Sequence, residues 1–165
     1  PKDTRENKEA RLLITLFQRK RDAVFLKTYD YFRKKYPESE YGEIIKNVAA
    51  HVYLRRWRES GSAPDFEEAR ALYSELIQKF PESPLREYCY LTLGYAQMER
   101  GEALSTLQTF EDFLKNYPKS PEVPQIRKAV AEALMVLRKY HQAAEQYLTI
   151  IKDFPKTEHA QEATY

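Results

Sequence analysis

The chain has one cysteine, four glycines and no apolar run of eighteen residues. The lone Cys89 excludes an internal disulfide and a cysteine-based metal site. The missing apolar run means that no segment reads as a membrane-spanning helix. Scarce glycine leaves neither a glycine-rich phosphate loop nor a Gly-x-Ser-x-Gly nucleophile elbow. Alternating Val/Ile/Thr-rich runs are also missing, which predicts an all-helical protein. The formal net charge of +2 is too small to imply a polyanion partner.

What is present in excess is aromatic: 13 tyrosines and 8 phenylalanines. They mark a repeat. Tyr36-Pro37-Glu38-Ser39, Phe80-Pro81-Glu82-Ser83, Tyr117-Pro118-Lys119-Ser120 and Phe154-Pro155-Lys156-Thr157 share one pattern. Each is an aromatic, a proline, a charged residue and a small hydroxyl. The prolines are spaced by 44, 37 and 37 residues, and such a period belongs to stacked repeat architectures.

Around each proline the same register returns. Eight residues before it stand Tyr29, Tyr73, Phe110 and Tyr147, and five before it Phe32, Leu76, Phe113 and Ile150. Twelve before it stand Phe25, Ala69, Thr106 and Ala143, small in three of the four. Small residues let two helix axes approach, and the aromatics on the following turns fill the space between them, at about 1.5–3 kcal/mol each when buried. Tyr147 is accordingly expected in the core. Proline then stops each second helix, because it lacks the amide and biases its predecessor away from helix.

Four helix pairs are therefore predicted, at 4–37, 41–81, 84–118 and 124–155, with a further helix beginning at 158–165. Ser83 reads as a helix N-cap with Pro84 in the first turn, and Gly101 as the stop of the third pair's first helix. The seven extra residues of the second pair fall at 58–64, which reads as a longer loop before a helix capped by Asp65. The start at Pro1 and the stop inside a helix read as those of a piece of a longer protein.

This pattern resembles the tetratricopeptide repeat family over essentially the whole chain. The resemblance rests on Tyr90, Leu93, Gly94, Gly101, Phe110 and Pro118, and again on Leu134, Tyr140, Ala143, Tyr147 and Pro155. Phe25 departs from it, standing where a small residue is usual. The 37-residue period ending in Tyr-Pro-x-Ser is similar to a bacterial envelope subgroup, the BamD-type outer-membrane assembly lipoproteins and CpoB-type cell-division coordinators. The resemblance implies a right-handed superhelix of antiparallel helix hairpins, an alpha-alpha solenoid, with a concave groove lined by first helices. It implies a protein-interaction scaffold of the periplasm or cell envelope, with the cytoplasm as the alternative compartment, and no enzyme or cofactor.

In the family's register the groove would take Asn47, His51, Leu54 and Arg55 from the second pair. The third pair would give Tyr88, Leu91, Tyr95 and Met98, and the fourth Gln125, Lys128, Glu132 and Met135. Tyr and Met are enriched at interfaces, so Tyr95 and Met98 are the expected anchors for a peptide or protein partner. No several-fold Lys/Arg clamp for a carboxyl terminus is present. The alternative role is a nucleic-acid-associated regulator, because residues 1–60 hold fifteen Lys/Arg against nine Asp/Glu. Their clusters are Arg19-Lys20-Arg21, Arg33-Lys34-Lys35 and Arg55-Arg56-Trp57-Arg58. Candidate chemistry is thin: His51, His141 and His159 lie far apart, and His141 with Glu145 reads as a surface pair.

Overall fold

The aromatic-proline motif ends a helix in the same way each time it occurs. In the computed structural model, which describes residues 4–155 and 158–162, Tyr36, Phe80, Tyr117 and Phe154 each close a second helix. Their φ angles fall between −124° and −130° with ψ of 47–66°, outside the helical region that a following proline disfavours. Each donates its backbone N–H to the carbonyl four residues back, at 2.8–3.2 Å. A β-turn follows with proline at its second position, closed by N–H of Ser39, Ser83 or Ser120 on the aromatic's carbonyl.

Nine helices result among the described residues, and no strand. They are α1 (Arg5–Gln18), α2 (Asp22–Lys35), α3 (Gly42–Ser60), α4 (Ala63–Lys79), α5 (Arg86–Glu99), α6 (Ala103–Asn116), α7 (Val123–Val136), α8 (Tyr140–Asp153) and α9 (Glu158–Glu162). The chain divides into two compact units, Pro1–Ser83 and Pro84–Tyr165. Unit 1 holds the hairpins α1–α2 and α3–α4. Unit 2 holds α5–α6 and α7–α8, followed by α9. The predicted fourth-motif hydroxyl, Thr157, and residues 163–165 lie outside the described residues.

Three local expectations are corrected. The seven extra residues do not form a long loop: α3 runs on to Ser60 and α4 starts at Ala63, so they lengthen the hairpin. Only Gly61, at φ 71°, and Ser62 turn the chain. Ser62, not Asp65, caps α4 by accepting the Asp65 N–H, while Asp65 pairs with Arg56 at 3.1 Å. Nor is Ser83 an N-cap. Leu85 occupies that position without a side-chain bond, and the Ser83 hydroxyl donates to Glu43 at the start of α3. Ser39 does the same to Glu6 on α1. In these two turns the motif's hydroxyl ties the turn back to the hairpin it ends, whereas the Ser120 hydroxyl accepts the Glu122 N–H.

The core of each unit follows the register read from the sequence. Phe25, Ala69, Thr106 and Ala143 are all buried, as are Phe32, Leu76, Phe113 and Ile150. Phe25, despite its size, is fully buried and stacks on Tyr29. Tyr29, Tyr73 and Phe110 are buried too, but Tyr147 is half-exposed, contrary to expectation. Among the described residues α8 packs on α7 and α9, and Tyr147 lies at the margin of those contacts. Thr106 satisfies its buried hydroxyl on the Glu102 carbonyl at 3.0 Å. That bond lets a polar residue fill a small-residue position without an orphaned group.

First helices share a stop as well. Lys20, Gly61, Gly101 and Arg138 all take positive φ just past the helix end. At Gly101, N–H groups of residues 101 and 102 bond the carbonyls of Met98 and Gln97, a Schellman closure. Arg138 repeats these bonds with φ 59°, where a Cβ costs about 1–2 kcal/mol. Glycine there gives back about 0.5–1 kcal/mol in unfolded-chain entropy. Arg138→Gly is expected to stabilise the protein by about 0.5–1 kcal/mol net. Chemical denaturation checks it, and an unchanged or lower midpoint would count against the cap assignment.

Candidate partner-binding face

Unit 1 uses most of its predicted groove residues for its own packing. Leu54 is 1% exposed and so offers no surface. Arg55 forms a two-nitrogen bond to the Asp22 carboxylate on α2, with its guanidinium over the Phe17 ring of α1 at 5.1 Å. His51 lies edge-on to Phe17 and 3.1 Å from the Tyr73 hydroxyl. Burial, then the charges of Arg58 and Arg55, push its imidazole below its ordinary pKa. Asn47 is half-buried. The physical reason is packing: the first hairpin lies against this side of α3, so the side chains close a core.

The basic clusters are similarly engaged. Arg33 and Lys34 both hold Asp30, Lys35 holds Glu9, and Arg56 holds Asp65. Arg19, Lys20 and Arg21 are the exception: exposed at the α1–α2 turn, with Arg19 at the C-cap of α1 and Arg21 at the N-cap of α2. Paired cations release few counterions from a phosphate backbone, so the steep electrostatic term of nucleic-acid binding is weakened. A cleft of ≈ 550 Å³ opens in the same unit, between Tyr29, Phe32 and Tyr36 on one side and Leu72 and Phe80 on the other. Lys46 covers the Phe80 ring and Lys35 the Tyr36 ring.

In unit 2 the predicted groove residues stay at least partly open to solvent. Tyr88, Leu91, Tyr95 and Met98 run along α5 at steps of three and four, and Gln125, Lys128, Glu132 and Met135 repeat those steps 37 residues later on α7. Tyr88 is 41% and Met135 46% exposed, and the other six are half-buried. The two stripes meet where the Tyr95 hydroxyl faces the Gln125 side chain. Burial raises that phenol's pKa, and Gln125 offsets part of the rise. The Tyr95 ring packs edge-on against Phe110 at 5.1 Å, so it is anchored on one side and open on the other.

The charges on this face are unequal in freedom. Lys128 bonds Glu162 of α9 at 2.6 Å, which raises the ammonium's pKa and lowers that of the carboxyl. Glu132 is half-buried, faces Lys128 and the phenols of Tyr95 and Tyr147, and makes no ion pair among the described residues. With Met98 it borders a pocket of ≈ 170 Å³ completed by Gly101, Ala103, Thr106, Ala133 and Val136. Ala103, Thr106, Ala133 and Val136 were not among the expected site residues. Their one sequence signal is Val136, apolar at a helix end where the other first helices carry Gln18, Glu59 and Glu99.

The residues weighed for chemistry remain apart. Cys89 is buried, and His141 and Glu145 are both exposed on α8 without pairing. No helix among the described residues is long and apolar enough to cross a membrane.

Comparison with known proteins agrees with this architecture. A thermophilic tetratricopeptide repeat protein of Thermus thermophilus has a crystal structure that superposes with a TM-score of 0.54 at 16% identity, covering 96% of this chain and 97% of that one. The shared property is the fold, an alpha solenoid of helix hairpins. A search of curated protein sequences returns no match. Residues 48–165, from the middle of α3 onward, match the family described as YfiO, outer membrane lipoprotein. The chain belongs to the YfiO outer membrane lipoprotein family, and it is built on the tetratricopeptide repeat fold.

Proposed function

We propose that this protein is an interaction scaffold of the bacterial cell envelope, working in the periplasm. Its partner, a protein or peptide, docks on the α5–α7 face of unit 2. The observation that carries this reading is the pair of matched stripes, in which Tyr88 and Met135 stand exposed beside half-buried Leu91, Tyr95 and Met98. Aromatic and Met side chains left this exposed are enriched where proteins meet. Family membership supports the compartment, since the family is one of outer membrane lipoproteins. The paired cations of unit 1 give the nucleic-acid reading no comparable support.

The test is recovery of partners from an envelope extract by the immobilised chain. Tyr88→Ala combined with Met135→Ala removes two exposed side chains, so folding should persist, checked by circular dichroism. Interface anchors cost about 1 kcal/mol or more each when truncated, so recovery of a discrete partner should fall about ten-fold or more. Leu148→Ala, on the exposed side of α8, should leave recovery unchanged. Equal recovery by all three proteins would remove the α5–α7 face from the account.

A further inference from the structure

The pocket at the end of this face has properties that the rest of the face lacks. Its walls are almost wholly apolar: Met98 from α5, Ala103 and Thr106 from α6, Ala133 and Val136 from α7. Its volume of ≈ 170 Å³ is close to the roughly 150 Å³ that admits a benzene-sized guest. Glu132 is the one charged group on its wall, half-buried, while Lys128 one turn earlier is held by Glu162. Val136 is 71% exposed, at a helix-end position where the other three first helices carry polar Gln18, Glu59 and Glu99. A wet valine there contributes nothing to the hairpin that a polar residue would not.

We infer that this pocket receives one bulky apolar side chain, of Leu or Phe size, from a partner peptide that carries Lys or Arg beside it. The inference rests on the interaction reading above and narrows it to a residue pair. The apolar group leaves water for walls that, apart from Glu132 at the rim, offer almost no hydrogen bonds, which a polar side chain would find costly. The adjacent cation meets Glu132 in a charge-assisted bond. An acidic neighbour would instead face the like charge of Glu132. That charge argument selects a basic peptide over an acidic one.

The experiment is a methyl-detected NMR titration of the full 165-residue chain with three blocked hexapeptides. The first is Gly-Ser-Leu-Lys-Ser-Gly. The second has Ala in place of Leu, and the third Glu in place of Lys. The first should shift the Ala103 and Val136 methyls, and the other two should bind about five-fold or more weakly, the factor that about 1 kcal/mol represents. Glu132→Gln should weaken the first peptide by a similar factor and leave the third no worse.

Equal response to all three peptides, or unmoved Ala103 and Val136 methyls, overturns the inference. If the Leu91 methyls shift while those of the pocket do not, the pocket falls and the face survives. Shifts of the pocket methyls on dilution without peptide would also overturn it, giving the pocket to a second copy of the chain.

Discussion

Phe110→Ala is expected to lower stability by about 3–5 kcal/mol, the range for removing a buried aromatic ring. Phe110 is 0% exposed and sits between α5 and α6, with Tyr95 edge-on against it. Its backbone is on α6, but the space it fills is made by α5, where Gly94 leaves room for the ring. The loss therefore combines the transfer of a ring to water with a cavity that two helices cannot close. Urea denaturation of the purified chain checks it. A loss below about 1 kcal/mol, typical of surface sites, would mean that the α5–α6 hairpin is not packed as described.

The second large effect comes from the other partner. A Cβ on Gly94 would lie 2.2 Å from Phe110 Cε1 and 2.6 Å from Cζ. The ring is enclosed and has no solvent to swing into. Two terms compete in Gly94→Ala: alanine favours the helix by about 1 kcal/mol, and overpacking costs about 1–3 kcal/mol or more. At this distance the clash wins, and a net loss of about 1–2 kcal/mol is expected. With Phe110 already Ala the clash is gone, so the same change should become neutral or stabilising. That reversal of sign is a coupling that only residues in contact show. Additive losses in the double variant would break the Gly94–Phe110 pairing.

These two residues also show how far the sequence was legible. Gly94 and Phe110 lie sixteen positions apart; the repeat pattern includes both without pairing them, and their contact appears only in the structure. The register is a local, periodic signal, so the hairpins, the aromatic-proline stops and the Gly101 closure could all be read from it. The α5 and α7 stripes were legible for the same reason, being copies 37 residues apart.

What failed was local chemistry with two meanings, or burial that depends on a distant neighbour. Ser, Gly, Ala and Pro at 60–64 suit a loop, yet they also suit a tight turn followed by a capped helix with Pro64 in its first turn. The structure uses them in the second way. Leu54, His51 and Arg55 carry the right spacing for a groove, but α1 and α2 cover them. No feature within α3 announces that. Tyr147 errs in the opposite direction: its register predicts a core ring, and on α8 it is half-exposed.

The central claim is that the α5–α7 face of unit 2 is where a partner sits. Photo-crosslinking in living cells tests it most directly, with a photoreactive amino acid placed in turn at positions 88, 135 and 148 of the native protein. Positions 88 and 135 should yield one and the same protein adduct, weakened by Tyr95→Phe combined with Glu132→Gln, and position 148 should not yield it. An adduct at 148 as strong as at 88 and 135, or none at either of those two, would contradict the account.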